Sequence, residues 1–245
     1  MSGNLYVVGL GPGNSEMLTE QACKALADAD VLCGYTVYVE LVRPLFPEKE
    51  TYTTAMRGEM DRCRWALETA AQGKNVALVC SGDAGVYGMA SPVLELAGAY
   101  PQVSVEVVPG VTAALSGAAV LGAPLGHDFC VISLSDLLTP WALIEKRLQC
   151  AALGDFSLCL YNPASHKRKD HLQRAVDILL KAGKEKDTPC ATVRNIARPG
   201  QEAQFYTLEA LRSAPVDMFT TVFIGSSTTR QEGPWLITPR GYRNA

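Results

Sequence analysis

Asn75-Val-Ala-Leu-Val-Cys-Ser-Gly-Asp-Ala-Gly-Val-Tyr-Gly-Met89 is an apolar run that stops abruptly in a glycine-rich turn. Val76 to Cys80 shows no polar alternation, the pattern of a strand covered on both faces at the centre of a parallel sheet. Past it, Gly82, Gly85 and Gly88 let backbone approach a ligand with no side chain between, and Asp83 is the one charge in the turn. Ligands of open α/β sheets lie just beyond the carboxyl ends of strands, so a small-molecule site is expected here. Taken alone, the stretch reads equally as a strand-to-helix turn capped by Asp83.

Toward the amino end, Leu5 to Val8 runs into Gly9-Leu-Gly-Pro-Gly13, and Leu18, Ala22, Ala25, Leu26 and Ala29 follow at helical spacing. A dinucleotide site is argued against, because Asn14 stands where a third glycine belongs. Asp28 and Asp30 also precede the strand Val31 to Cys33 instead of ending it. Glu59 to Gln72 is a helix with Met60, Cys63, Leu67 and Ala70 on one face, and Arg57, Arg62 and Arg64 crowd its start. Beyond the quoted stretch come a helix from Ser91, a strand Ser104 to Val108, and Pro109-Gly-Val-Thr-Ala113 opening a small-residue helix to Leu121.

Gly122-Ala-Pro-Leu-Gly126 reads as a linker, which divides the chain into 1–124 and 125–245. Five strands are expected in the second half: Phe129 to Leu134, Phe156 to Tyr161, Ala191 to Asn195, Gln204 to Thr207 and Phe219 to Ile224. Its helices are Trp141 to Ala152 and Lys169 to Lys181. Alternation of strands and helices in both halves predicts two α/β domains with a cleft between them.

The 245 residues suffice for one large or two small cores, and 48% hydrophobic against 19% charged residues fits a compact soluble protein. Twenty-two basic residues against 25 acidic ones leave no electrostatic footprint for nucleic acid, so an anionic partner must meet a local cluster of bases. No apolar run approaches ~18 residues, so no membrane partner is expected and the protein is placed in the cytoplasm. The eight cysteines include no pair at metal-ligand spacing, which predicts reduced thiols and no structural metal. His166-Lys-Arg-Lys169 reads as a solvated helix start, and His166 and His171, five apart, fall on different helix faces.

Gly9-Leu-Gly-Pro-Gly13, Ser81-Gly-Asp-Ala-Gly-Val-Tyr87 and Pro109-Gly-Val-Thr-Ala113, in this order and spacing, resemble the tetrapyrrole (class III) methylases along nearly the whole chain. His127-Asp-Phe-Cys, Ile132 to Trp141, Tyr161-Asn-Pro-Ala-Ser165 and Ile237-Thr-Pro-Arg-Gly-Tyr242 look like the branch that methylates C-17 of precorrin-3B or of cobalt-factor III, with contraction of the macrocycle to precorrin-4, in cobalamin biosynthesis. The resemblance implies S-adenosylmethionine as cofactor, bound between two α/β domains against Pro12, Gly82, Asp83, Val86, Thr112, Ala113, Asn162 and Gly225. It also implies a homodimer. The absence of a cysteine-rich extension leans toward metal-free precorrin-3B. A ribosomal RNA methylase of the same fold and a ligand sensor without turnover are the rival readings.

Methyl transfer from a sulfonium requires alignment and exclusion of water more than a catalytic nucleophile. Ring contraction requires an acid or base, for which Asp136 and His127 are the candidates, with Ser133 and Ser135 as hydrogen-bond donors. A macrocycle ringed with carboxylates calls for guanidinium groups, and Arg57, Arg62, Arg64, Arg194 and Arg198 stand in or beside loops at the expected ends of strands.

Overall fold

The computed structural model describes residues 2–55, 57–165 and 168–242. His166 and Lys167 of the basic tetrapeptide lie outside them. Two compact units are formed, Met1–Ala113 and Ala114–Ala245. The division thus comes before the Gly122–Gly126 turn, and the small-residue helix falls almost wholly in the second unit.

The first unit contains β1 (Asn4–Gly9), α1 (Glu20–Asp28), β2 (Val31–Tyr35), α2 (Thr36–Val42), β3 (Glu50–Thr54), α3 (Glu59–Ala71), β4 (Val76–Cys80), α4 (Ala90–Ala97) and β5 (Ser104–Val108). Among the described residues its sheet has the order β3-β2-β4-β1-β5, and every pairing is parallel. The quoted run is the middle strand, and all five of its residues are buried. Its side chains alternate between two cores. Val76, Leu78 and Cys80 pack with Cys63, Leu67 and Val93 of α3 and α4, whereas Ala77 and Val79 pack with Ala22, Leu26 and Val39 of α1 and α2. Two-sided burial explains why the run carries no polar residue.

The chain leaves β1 toward β2 on one side and leaves β4 toward β5 on the other. The gap between β1 and β4 is therefore the point where the strand order reverses, where ligands of such sheets bind beyond the carboxyl ends. The Thr-rich segment forms edge strand β3, largely exposed.

The second unit contains α5 (Ala113–Leu121), β6 (Gly122–Ala123), β7 (Phe129–Ser133), α6 (Trp141–Leu153), β8 (Ser157–Tyr161), α7 (His171–Lys181), β9 (Pro189–Arg194), β10 (Glu202–Thr207), α8 (Leu208–Leu211), β11 (Thr220–Ile224), β12 (Arg230–Glu232) and β13 (Trp235–Ile237). Its main sheet runs β10-β9-β11-β8-β7. β7 and β8 are parallel, but β11 pairs antiparallel with both β8 and β9. Ile144, Leu148, Leu172, Val176 and Leu179 of α6 and α7 cover one face of this sheet. On the other face α5 approaches closely at Gly117, where an added Cβ would stand 2.7 Å from Phe223 Cζ. The supposed linker supplies β6, which joins β12 and β13 in a small sheet.

Candidate functional site

In the first unit the turns after β1, β4 and β5 meet. Gly11 N–H donates to the Gly82 carbonyl (3.0 Å) and Gly82 N–H donates to the Gly11 carbonyl (2.7 Å), a reciprocal bridge between two glycines with φ of +70° and +71°. A Cβ on Gly110 would lie 2.2 Å from the Gly82 oxygen, so the third turn fits only as glycine. Asp83 fastens the junction: Oδ1 accepts from Gly85 N (2.8 Å) and Oδ2 from Gly110 N (3.0 Å). Pro12 is buried beside Gly11, and Val86, Thr112 and Ala113 are half-buried. The six first-unit positions named from the sequence thus fall on these three turns or at the residue that follows them.

The arginines separate by environment. Arg62 is 3% exposed, and its Nε donates to Thr54 Oγ1 (2.9 Å) while Nη2 donates to the Ala55 carbonyl (3.3 Å). It braces the turn after β3 instead of presenting itself to a ligand. Arg64 is exposed and pairs with Asp61 one helical turn back, at 3.3 Å. Arg194 pairs with Asp217 at 2.8 Å. Arg57, with φ of 75°, and Arg198 occupy turns at the carboxyl ends of β3 and β9.

In the second unit the carboxyl ends of β7 and β8 carry a polar network. Asn162 Nδ2 donates to Ser133 Oγ (2.9 Å), which also accepts from Ser135 N (3.2 Å). Arg168 donates from Nη1 to Ser135 Oγ (2.6 Å) and from Nε to Ser165 Oγ (3.0 Å). The serines expected as donors thus accept from these neighbours. Asp136 lies between Arg168 Nη1 and His171 Nε2, each 3.6 Å from one carboxylate oxygen. The sequence reading gives Arg168 to a solvated helix start and considers His171 only as an unsuitable metal partner for His166, so neither is assigned to the site. His171 stands on the buried stripe of α7 with Leu172 and Ala175, where periodicity marks only core.

Asn162 adopts φ of 54° immediately before Pro163, and Asn195 and Ala197 after β9 have φ of 51° and 54°. Non-glycine residues in this region are strained by about 1–3 kcal/mol each and gather at functional sites. They mark the same edge of the sheet, and no sequence pattern announces them.

Two of the residues named from the sequence stand apart from the others. His127 precedes β7 and Asp136 follows it, so the strand's five residues hold them about 16 Å apart at ~3.3 Å per residue. His127 is 59% exposed on its side chain and accepts from the next backbone amide, Asp128 N, at 2.8 Å. Gly225 follows β11, whose Ile224 is opposite Leu158 near the start of β8, whereas Asn162 follows the end of β8. The antiparallel run of β11 carries Gly225 to the opposite edge. There its carbonyl accepts from Lys184 Nζ (2.7 Å), and a Cβ would strike Thr229 at 2.5 Å.

That edge has its own electrostatics. Burial pushes the Lys184 ammonium below its ordinary value, opposed by Asp155 at 3.7 Å. Burial raises the Asp155 carboxyl, but hydrogen bonds from Ser227 Oγ (2.5 Å) and N (2.8 Å), with Lys184, outweigh it and hold the group below its ordinary value. A cavity of about 310 Å³ opens beside it, lined by His127, Asp128, Asp155, Ser226 and Arg240 among others. Burial also raises the thiols of Cys63 and Cys80 to about 11, so neither is a ready nucleophile. Among the described residues no helix is long and apolar enough to cross a membrane.

The sequence pattern of the Tetrapyrrole (Corrin/Porphyrin) Methylases matches residues 4–212. The chain is 47% identical over 239 residues to the probable cobalt-factor III C(17)-methyltransferase of Salmonella typhimurium, covering 97% of this chain and 99% of that protein. It is 41% identical over 254 residues to the precorrin-3B C(17)-methyltransferase of Sinorhizobium sp, covering 100% and 99%. A crystal structure of the methyltransferase CobJ superposes with a TM-score of 0.90 at 41% identity, over 97% of this chain and 100% of that one. The uroporphyrin-III C-methyl transferase of Thermus thermophilus, complexed with S-adenyl homocysteine, superposes at 0.69 with 25% identity over 91% and 97%. With the glycine junction at the strand-order reversal and matches that run nearly end to end, the chain belongs to the tetrapyrrole methylases.

Proposed function

We propose that the chain transfers a methyl group from S-adenosylmethionine to C-17 of a precorrin-3B-type macrocycle, with contraction of the ring, in cobalamin biosynthesis. The observation that carries this reading is the identity of 41–47% along 97–100% of the chain with two C(17)-methyltransferases. The higher identity is to the cobalt-factor III relative, and it favours the cobalt-containing macrocycle over the metal-free precorrin-3B preferred on the sequence alone.

S-adenosylmethionine supplies, when bound, a methyl group already activated on a sulfonium. The first unit's residues fit such a molecule. At Gly82 an added Cβ would meet nothing nearer than Thr112 Cα at 3.7 Å, which leaves room for a ligand against bare backbone. Pro12, Val86, Thr112 and Ala113 offer small or apolar contacts for a nucleoside, and Asp83 gives the junction a negative charge opposite an ammonium or sulfonium. These residues bind and orient, and no protein nucleophile is needed. Asn162 stands with the second unit's polar network, where we assign Asp136 the acid–base role in ring contraction. On precorrin-3B that role is to take the proton of the C-20 hydroxyl, whose electron pair stays on the substrate oxygen; on the cobalt-containing macrocycle it is to move the proton of the group that bonds to the same carbon. Arg57 and Arg198 are the guanidinium groups we assign to the macrocycle's carboxylates.

The test is mass spectrometry of the tetrapyrrole after incubation with S-adenosylmethionine and, separately, cobalt-factor III and precorrin-3B. Gain of one methyl group on cobalt-factor III is expected. Gain on precorrin-3B alone would reverse the choice of macrocycle, and no gain on either would end the C-17 reading.

A further inference from the structure

Asp136 is opposed on both carboxylate oxygens by bases that the reaction does not otherwise require. Oδ1 faces Arg168 Nη1 and Oδ2 faces His171 Nε2, each at 3.6 Å. His171 is 3% exposed and cannot swing away. Its Nδ1 stands 2.9 Å from the Leu134 carbonyl, which only accepts, so Nδ1 carries a proton and Nε2 is turned to the carboxylate, which it holds through a proton lying between the two. The ring also leans on Trp141, with centroids 4.7 Å apart. Arg168 is anchored at Ser135 and Ser165 by its other contacts.

A carboxylate held at one oxygen can still rotate about Cβ–Cγ, whereas one held at both cannot. Asp136 is nonetheless 37% exposed on its side chain, so it is fixed from behind and open in front. Both 3.6 Å separations exceed a direct hydrogen bond and leave room to tighten when substrate displaces water, as in many unliganded catalytic sites.

We propose that His171 is a positioning residue for Asp136, fixing with Arg168 the rotation of its carboxylate for the proton transfer of ring contraction. The proposal rests on the reading of Asp136 given above. Leu134, Asp136 and His171 are then one unit: the backbone carbonyl orients the ring and the ring orients the acid. This is the arrangement by which outer partners tune reactive groups elsewhere, with losses of roughly 10–100-fold on mutation.

The test compares His171→Asn, His171→Gln and Asp136→Asn, following methyl gain by mass spectrometry and ring contraction by the spectrum of the product. Asparagine places an amide nitrogen where Nδ1 was, keeping the bond to Leu134 but leaving nothing at Nε2. Glutamine reaches the Nε2 position instead. Expected is a fall in kcat for contraction of about 10–100-fold in His171→Asn, with unchanged KM for the tetrapyrrole and unchanged Kd for S-adenosylmethionine, and substantial recovery in His171→Gln. Contraction at the wild-type rate in His171→Asn, with Asp136→Asn impaired, overturns the positioning role alone. Full activity in Asp136→Asn removes the acid–base assignment and this proposal with it. Loss of methyl gain even in the unmutated protein is failure of the C-17 reading. Should His171→Asn not fold, Arg168→Lys serves in its place: it keeps the charge but not the fork, and an unchanged contraction rate there refutes the proposal.

Discussion

Asp83 and Asp155 are both carboxylates held by backbone amides, yet they act on different things. Asp83 joins two turns of the first unit, and Asp155 joins the start of β8 to the turn after β11. Against the opposing effect of burial, hydrogen bonds from Ser227 and the nearby Lys184 ammonium hold the Asp155 carboxyl below its ordinary value, so its stabilisation is fully present above that ordinary value and is lost as pH falls through the lower folded one. Asp155→Asn keeps partners for Ser227 but removes the charge facing Lys184. It is expected to lower stability at pH 7 by about 1 kcal/mol, a small value because the side chain is 47% exposed. Urea titrations should show this difference shrinking toward zero in strong acid, and a gap unchanged by pH would contradict the ion-pair account. At the junction, Gly110→Ala sets a Cβ 2.2 Å from the Gly82 oxygen. We expect a loss of about 1–3 kcal/mol in stability and at least about tenfold weaker S-adenosylmethionine binding by calorimetry.

The elements were legible where burial is two-sided. β4, β1 and α3 lie within two residues of where periodicity sets them, because a strand packed on both faces and a helix packed on one must be written in apolar residues. The glycine turns after β1 and β4 were legible for a related reason: a bare backbone junction admits few residues, whereas the other cofactor positions came from the family resemblance alone. What sequence order could not reveal is direction. β11 reads as one more buried strand, but it runs antiparallel to β8, and that reversal removes Gly225 from Asn162. A five-residue strand likewise hides that His127 and Asp136, nine positions apart, stand at opposite edges. His171 was weighed only as a metal partner for His166, because a helix stripe says a side chain is inside, not what its second nitrogen faces. The close approach of α5 to the sheet is testable directly. Gly117→Val should cost about 1–3 kcal/mol by overpacking against Phe223, read as a lower urea midpoint with far-UV circular dichroism retained.

At the scale of the molecule, each unit has a core of its own, and the three tryptophans report on them separately. Trp65 stacks on Tyr52 in the first unit, with centroids 3.9 Å apart, whereas Trp141 and Trp235 belong to the second. With the latter two replaced by phenylalanine, Trp65 fluorescence follows the first unit's unfolding. S-adenosylmethionine at 100 times its Kd should stabilise that transition by about 2.7 kcal/mol. An unmoved transition in a protein that still methylates would place the cofactor's contacts elsewhere.

The reciprocal bond between Gly11 and Gly82 has a meaning for inheritance. Residues 71 positions apart in the sequence are, in effect, a single character. An insertion in either turn would break its partner's pairing, so a change of length in one is a change imposed on the other. A chimera that borrows one turn from a cousin keeps the bridge only where the borrowed turn has the same length and the same glycine.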